Sequence, residues 1–177
     1  MEKIPNGLLW NCTGLKRINI PASVRESGNA AFYGSGLEKL NLPDGLQKID
    51  QWAFCSTKLK EIVIPDSVET IEFRAFIYCD GVENCVVGSG VKEIGQDAFY
   101  FWMNAYEDQT GIMHVKTTEQ AKRLRYSGYG HEILINGAPY TSYFGSQFAV
   151  DGISYMPTSD TTVTVTAISD DAKTEPF

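Results

Sequence analysis

The chain reads as a mostly β, α/β-type repeat solenoid, and three observations carry that reading. Leu15, Leu37, Leu59 and Val82 open four successive copies of one pattern, spaced 22, 22 and 23 residues apart. Within each copy the apolar residues fall at repeat positions 1, 4, 6, 10, 13, 17 and 18. Position 17 is always alanine (Ala31, Ala53, Ala75, Ala98) and position 18 always phenylalanine (Phe32, Phe54, Phe76, Phe99). A fixed period of this length marks units that cannot bury a core alone and must stack.

Residues 1–14 align with the back half of a copy. Ile4 falls on position 13, Leu8 and Leu9 on the Ala-Phe pair, and Cys12 on the position of Cys79. A start in mid-coil would leave an unpaired sheet edge, which native chains usually cover. Upstream sequence, or a first turn serving as a crude cap, is therefore expected.

In the full copies KRINI, EKLNL, KEIVI and ENCVV alternate outward and inward as half-buried strands do. Pro21, Pro43 and Pro65 end three of these strands, where a missing donor does no harm, and Gly88 takes that place in the fourth. A second extended piece carries positions 10 and 13, and the Ala-Phe pair turns the chain back under the core. Ser27 is the one polar residue in the buried columns, so the first coil is expected to be the loosest.

The register breaks after Phe99. Tyr100, Phe101, Trp102 and Tyr106 form an aromatic-rich insertion, read as a plug at the junction in preference to a ligand platform. Ile112 to Val115 reads as a strand with Met113 and Val115 inward. Thr117 to Gly128 reads as a helix with a threonine N-cap, early acid, late Lys and Arg, and a stopping glycine. His131 to Asn136 is a further strand. Together they form the strand–helix–strand lid that a terminal repeat needs.

The expected organisation is therefore a solenoid with its cap over 1–136, a linker over 137–147, and a β-hairpin segment and tail over 148–177. The hairpin, around the Pro-Thr-Ser-Asp turn, either leans on the solenoid or opens a further module, because two strands alone are marginal in water.

A net charge of −7 and a pI near 4.8 argue against nucleic acid as partner, since phosphate binding needs a basic patch. No apolar run has the length to cross a bilayer, and the first residues lack a signal-peptide core. The four cysteines show no CxxC spacing and sit at repeat positions, so they read as buried thiols. A bridge between Cys79 and Cys85 is the alternative. Asn11-Cys12-Thr13 spells a glycosylation site among core positions. His114 and His131 have no oriented partner in the sequence, and no nucleophile, phosphate-binding or metal motif accompanies them. No catalytic, cofactor or metal residue is assigned, and the chain is read as a non-enzyme.

What remains is the outward strand face. Position 3 supplies Arg17, Lys39, Glu61 and Asn84, and position 5 supplies Asn19, Asn41, Val63 and Val86. Stacking places these in two parallel columns, as a surface for a protein or extended chain requires. The plain alternative is a solvated strand face.

The spelling LxxIxIPxSVxxIxxxAFxxC resembles the BspA-like, or Treponema-type, leucine-rich repeats over residues 4–99, and LKEIVIPDSVETIEFRAFIYC matches it almost position by position. MHVKTTEQAKRL is similar to that family's closing strand and helix, with Lys116 where proline is common. VDGISYMPTSDTTVTVT resembles hairpins found beside such repeats in gut and oral bacteria. The resemblance implies a right-handed leucine-rich-repeat coil and an exported cell-surface protein linked to adhesion, with host matrix or another surface protein as partner. It implies an export signal upstream of the chain shown. It carries over no binding residue, because outward positions vary freely among members. A structural spacer or assembly element is the rival reading.

Overall fold

The computed structural model describes residues 1–101, 112–127, 129 and 132–140, and three strands near the C-terminus in backbone only. The chain divides into two compact units, Met1–Tyr140 and Thr141–Phe177.

In chain order the first unit contains β1 (Arg17–Asn19), β2 (Lys39–Asn41), β3 (Lys48–Ile49), β4 (Glu61–Val63), β5 (Thr70–Ile71), β6 (Asn84–Val86) and β7 (Glu93–Ile94). The cap follows as β8 (Ile112–Val115), α1 (Thr118–Tyr126), β9 (Ile133–Ile135) and β10 (Ala138–Pro139). Repeat positions 3 to 5 make one set of parallel strands, pairing Arg17 with Lys39 and Glu61 with Asn84. The second extended piece makes another, pairing Lys48 with Thr70 and Thr70 with Glu93. The coil is mostly β, as its alternating pattern requires.

Along its core the position-18 rings stack. Phe32, Phe54, Phe76 and Phe99 lie nearly parallel with centroids 4.9, 5.1 and 5.5 Å apart. All four are buried, and so are the four alanines before them. The amides of Phe32, Phe54 and Phe76 each donate to the alanine carbonyl one coil on, at 2.8 Å. A small side chain at position 17 lets neighbouring turns approach to that distance. This combination of ring area and satisfied backbone explains why both positions are invariant.

Residues 1–14 form a partial coil. The Ile4 amide donates to Glu26 at 3.0 Å and the Leu9 amide to Ala31 at 2.7 Å. Ser27 is not itself a gap in the first coil. It is buried, and its hydroxyl accepts the Asp50 amide at 2.9 Å, so it ties the first coil to the second. The half-buried positions of that coil are instead Leu15 and Ile18, on the strand side.

The helix is capped as read. Thr117 accepts the Gln120 amide at 3.2 Å, and the Gln120 carboxamide oxygen accepts the Thr117 amide at 3.3 Å, a capping box. Gly88 has no room for a side chain, because a Cβ there would lie 2.3 Å from the Pro65 carbonyl oxygen. Phe101 is buried and meets Phe99 and Tyr129 edge-on, as a junction plug should. Tyr100, by contrast, is exposed, and Trp102, Tyr106, Gly128 and His131 lie outside the described residues.

Two boundaries differ from the sequence reading. The linker does not start at Gly137: Asn136 and Gly137 have φ of 50° and 85°, and they join β9 to β10 in an antiparallel hairpin. Asn-Gly favours this tight turn because both residues tolerate positive φ. Among the described residues the second unit has three strands where two were expected, β11 (Phe148–Val150), β12 (Ile153–Pro157) and β13 (Val163–Ile168), antiparallel in sequence order. β11 and β12 pair with Val150 beside Ile153.

Candidate functional site

The eight outward residues stand in two columns, as their spacing predicts. Arg17, Asn19, Lys39, Asn41, Glu61, Val63 and Asn84 are exposed and Val86 is half-buried. Register places Asn19 beside Asn41 and Val63 beside Val86, and the second column continues to His114 on β8. The columns are not continuous. β1 pairs only with β2, while β4 begins a separate sheet running through β6, β8, β9 and β10. At the entry to the third coil the Lys58 amide still donates to Leu37 at 2.9 Å. Beyond that point β2 and β4 are not paired.

A cleft of about 780 Å³ opens over the interruption, and Lys39, Asn41, Glu61 and Val63 line it. A second hollow of about 380 Å³ shares Glu61 and adds Asn84, Val86 and His114. Six of the eight residues thus converge on adjoining hollows, while Arg17 and Asn19 lie in neither. Val63 contributes an apolar surface that is 50% exposed.

Charge separates this face from the flank beside it. Along the β3–β5–β7 flank, Lys3 meets Glu26 at 3.1 Å, Lys48 meets Glu72 at 2.8 Å and Lys92 meets Glu69 at 3.1 Å. Hydrogen bonding to their carboxylates holds Lys3 and Lys48 above the ordinary lysine value. These ions satisfy one another between coils. On the strand face Lys16 pairs with Glu38 at 2.7 Å, and that hydrogen bond holds the Glu38 carboxyl below its usual range. Among the described residues Arg17, Lys39 and Glu61 form no such close pair, although the Lys39 charge also acts on Glu38.

Nothing comparable assembles around the thiols. Cys55, Cys79 and Cys85 are buried, Cys12 is half-exposed, and all four are unbridged. The Cys79 thiol donates to the Phe54 carbonyl at 3.1 Å and lies 3.2 Å from the Thr57 hydroxyl. Burial pushes it up to about 12 and raises Cys85 in the same direction. Such thiols stay protonated and unreactive at neutral pH. Among the described residues no three His, Cys, Asp or Glu side chains converge to hold a metal ion.

The sequence profile of the BspA type leucine rich repeat region matches residues 1–105, in six copies. The chain belongs to that family. The fold is similar to the crystal structure of pneumococcal vaccine antigen PcpA, with a TM-score of 0.50 and 17% identity. That alignment covers 76% of this chain and 41% of the antigen, so the chain spans less than half the length of that structure. Among curated proteins none matches in sequence.

The opposite, turn side of the BspA-type coil carries a feature that the apolar columns did not reveal. Position 16 has positive φ in every coil: Gly7 61°, Ala30 50°, Trp52 52°, Arg74 56° and Asp97 56°. Position 20 repeats this in Asn11 (54°), Gly34 (64°), Ser56 (55°) and Tyr78 (59°). Glycine adopts this left-handed region without cost, whereas another residue loses roughly 1–2 kcal/mol. Trp52, Arg74 and Tyr78 therefore put large side chains where glycine is cheapest. The edge-on contact of Trp52 with Phe73, at 5.9 Å, returns about 0.5–1.5 kcal/mol. Arg74 meets Asp97 at 3.1 Å and lies 4.6 Å over Phe73, and Tyr78 meets Tyr100 edge-on at 6.3 Å, so inter-coil contacts offset the backbone cost at all three.

They line a trench of about 390 Å³. Position 19 is Trp10 and Tyr33 in the first coils, then falls to the buried Cys55 and Ile77, which form the floor. Trp52, Arg74 and Tyr78 line the trench beside them. Trp10 is 56% exposed and Tyr78 37%, unusually open for aromatic side chains. The signal was present in the sequence, as aromatic residues at positions 16, 19 and 20. An apolar-column search discards it because those positions do not repeat in residue type.

Proposed function

We propose that the chain is a non-catalytic protein-binding module of an exported bacterial surface protein, and that it engages its partner through the strand face. The observation that carries this reading is the cleft between β2 and β4, lined by Lys39, Asn41, Glu61 and Val63. It joins exposed charge, an amide and an exposed apolar side chain over a stretch where β2 and β4 do not pair. A protein chain supplies the complement to each of these. Membership of a surface-protein repeat family and likeness to a protein named as a vaccine antigen support the export.

The test compares wild type with the fourfold variant K39A/N41A/E61A/V63A on immobilised extracellular-matrix extract and on whole bacterial cells. Binding reduced at least about tenfold, with an unchanged melting curve, is the expected result. A variant that binds like wild type would remove this surface from consideration. Wild type that binds neither would favour the spacer reading, in which the array only holds neighbouring modules apart.

A further inference from the structure

We infer, building on the strand-face reading, that the partner presents an extended peptide segment with segregated charges, acidic at one end and basic and apolar at the other, laid across the strands. The two charge columns of the face differ in kind. Position 2 alternates in sign from coil to coil, as Lys16, Glu38, Lys60 and Glu83, so each member has an opposite neighbour. Lys16 meets Glu38 at 2.7 Å, and the Lys60 charge acts on the same carboxylate. Position 3 does not alternate. Arg17 stands beside Lys39 in register, and Glu61 stands beside Asn84. Like charges opposite one another on adjacent strands weaken a sheet, so the stack itself gains nothing from placing Arg17 there.

Together, positions 2 and 3 put three cations and one anion on the first two full coils, then one cation and two anions on the next two. All seven are exposed. A local excess of cations in a chain of net charge −7 is not a consequence of composition. Position 5 changes character at the same step, from Asn19 and Asn41 to Val63 and Val86. The cleft lined by Lys39, Asn41, Glu61 and Val63 straddles that boundary, and Asp44 and Lys60, of opposite sign, line it too. Lys116, in the second hollow, acts on Asp66. Complementary charge sets the orientation and choice of a partner more than its raw affinity. The complement of this face has carboxylates over Arg17 and Lys39, a lysine or arginine over Glu61 and Glu83, and an aliphatic side chain against Val63. A uniform polyanion is repelled by Glu61 and Glu83, and a uniform polycation by Arg17 and Lys39.

The experiment titrates the full chain by calorimetry with a synthetic peptide carrying aspartates in one half, and valine and lysines in the other. A peptide of identical composition, with acidic and basic residues alternating, is the control. The segregated peptide is expected to bind saturably, at least about tenfold more tightly than the control, and less tightly as salt rises. R17E/K39E and Glu61→Lys should each weaken it at least about tenfold with unchanged melting curves. Lys92→Glu, a charge reversal on the β3–β5–β7 flank, should leave it unchanged. Should R17E/K39E fail to melt cooperatively, Glu61→Lys decides. Equal binding of the two peptides, no saturable binding, or full affinity in a folded face variant would each overturn the inference. Saturable binding of heparin, a uniform polyanion, in place of the peptide would overturn it as well. The two readings fail separately. Matrix or cell binding that is lost in K39A/N41A/E61A/V63A, with no preference between the peptides, keeps the strand face as the docking surface and removes only its segregated partner.

Discussion

The side-chain amide of Gln120 donates to the Gly88 carbonyl at 2.7 Å, joining the cap helix to the turn of the fourth coil. The same carboxamide accepts the amides of Lys116 and Thr117, at 3.0 and 3.3 Å. One buried side chain therefore closes the N-terminus of the helix and fastens the lid. Gln120→Ala leaves the buried Gly88 carbonyl and the part-buried Lys116 and Thr117 amides without this partner, at a cost of about 1–3 kcal/mol. Urea denaturation should show the midpoint falling accordingly, and a change under about 0.5 kcal/mol would contradict the role.

Phe54 has a stacked ring on each side, at 4.9 and 5.1 Å. Phe54→Ala should destabilise by about 3–5 kcal/mol, because the cavity lies in the middle of a column whose neighbours are held by inter-coil hydrogen bonds. Since each coil depends on those beside it, the loss should spread. Hydrogen exchange at Phe32 and Phe76 should rise together.

The thiols predict both reactivity and pH dependence. In native protein at neutral pH a thiol reagent should label Cys12 first, with Cys79 and Cys85 reacting only in denaturant. Cys79 moves from an ordinary value of 9.0 to about 12 on folding, because burial disfavours the thiolate. The folded state therefore holds its proton more tightly. Its contribution is fully present below about pH 9 and is lost as pH rises from there towards 12, with Cys85 adding in the same direction. Melting temperatures recorded between neutral pH and pH 10 should fall above pH 9, and less steeply in Cys79→Ala.

Lys39, Asn41, Glu61 and Val63 are exposed, and none bears on the core. Each alanine substitution should shift stability by no more than about 0.5 kcal/mol. Thermal melts of the four single variants check this. A larger loss at any of them would mean that the residue holds the coil together, and would weaken its case as a partner contact.

Much of the scaffold was legible because its information is local and repeated. Ala53-Phe54 and Ala75-Phe76 announce the same turn, and Thr117 with Gln120 announces the helix start within four residues. The inter-coil bond of Ser27 was not legible, because hydropathy measures water affinity and not whether a hydroxyl will find an amide, here that of Asp50. Asn136-Gly137 was legible but was absorbed into a stretch judged by composition. The eight outward residues were placed correctly in two columns. Their division into adjoining hollows was not foreseen, and the turn-side trench was missed entirely.

By itself the sequence determined the period, the buried columns, the cap and the family, because each coil meets the same packing demand and answers it with the same residues. Only the tertiary structure decided where the strand ladder is interrupted and which rings line the trench. EKLNL and KEIVI carry the same strand pattern, yet the strands they form, β2 and β4, do not pair. Tyr33 and Tyr78, 45 residues apart in sequence, line the same trench. Both features depend on how coils seat against one another, and that follows from the summed packing of the stack and not from any single repeat.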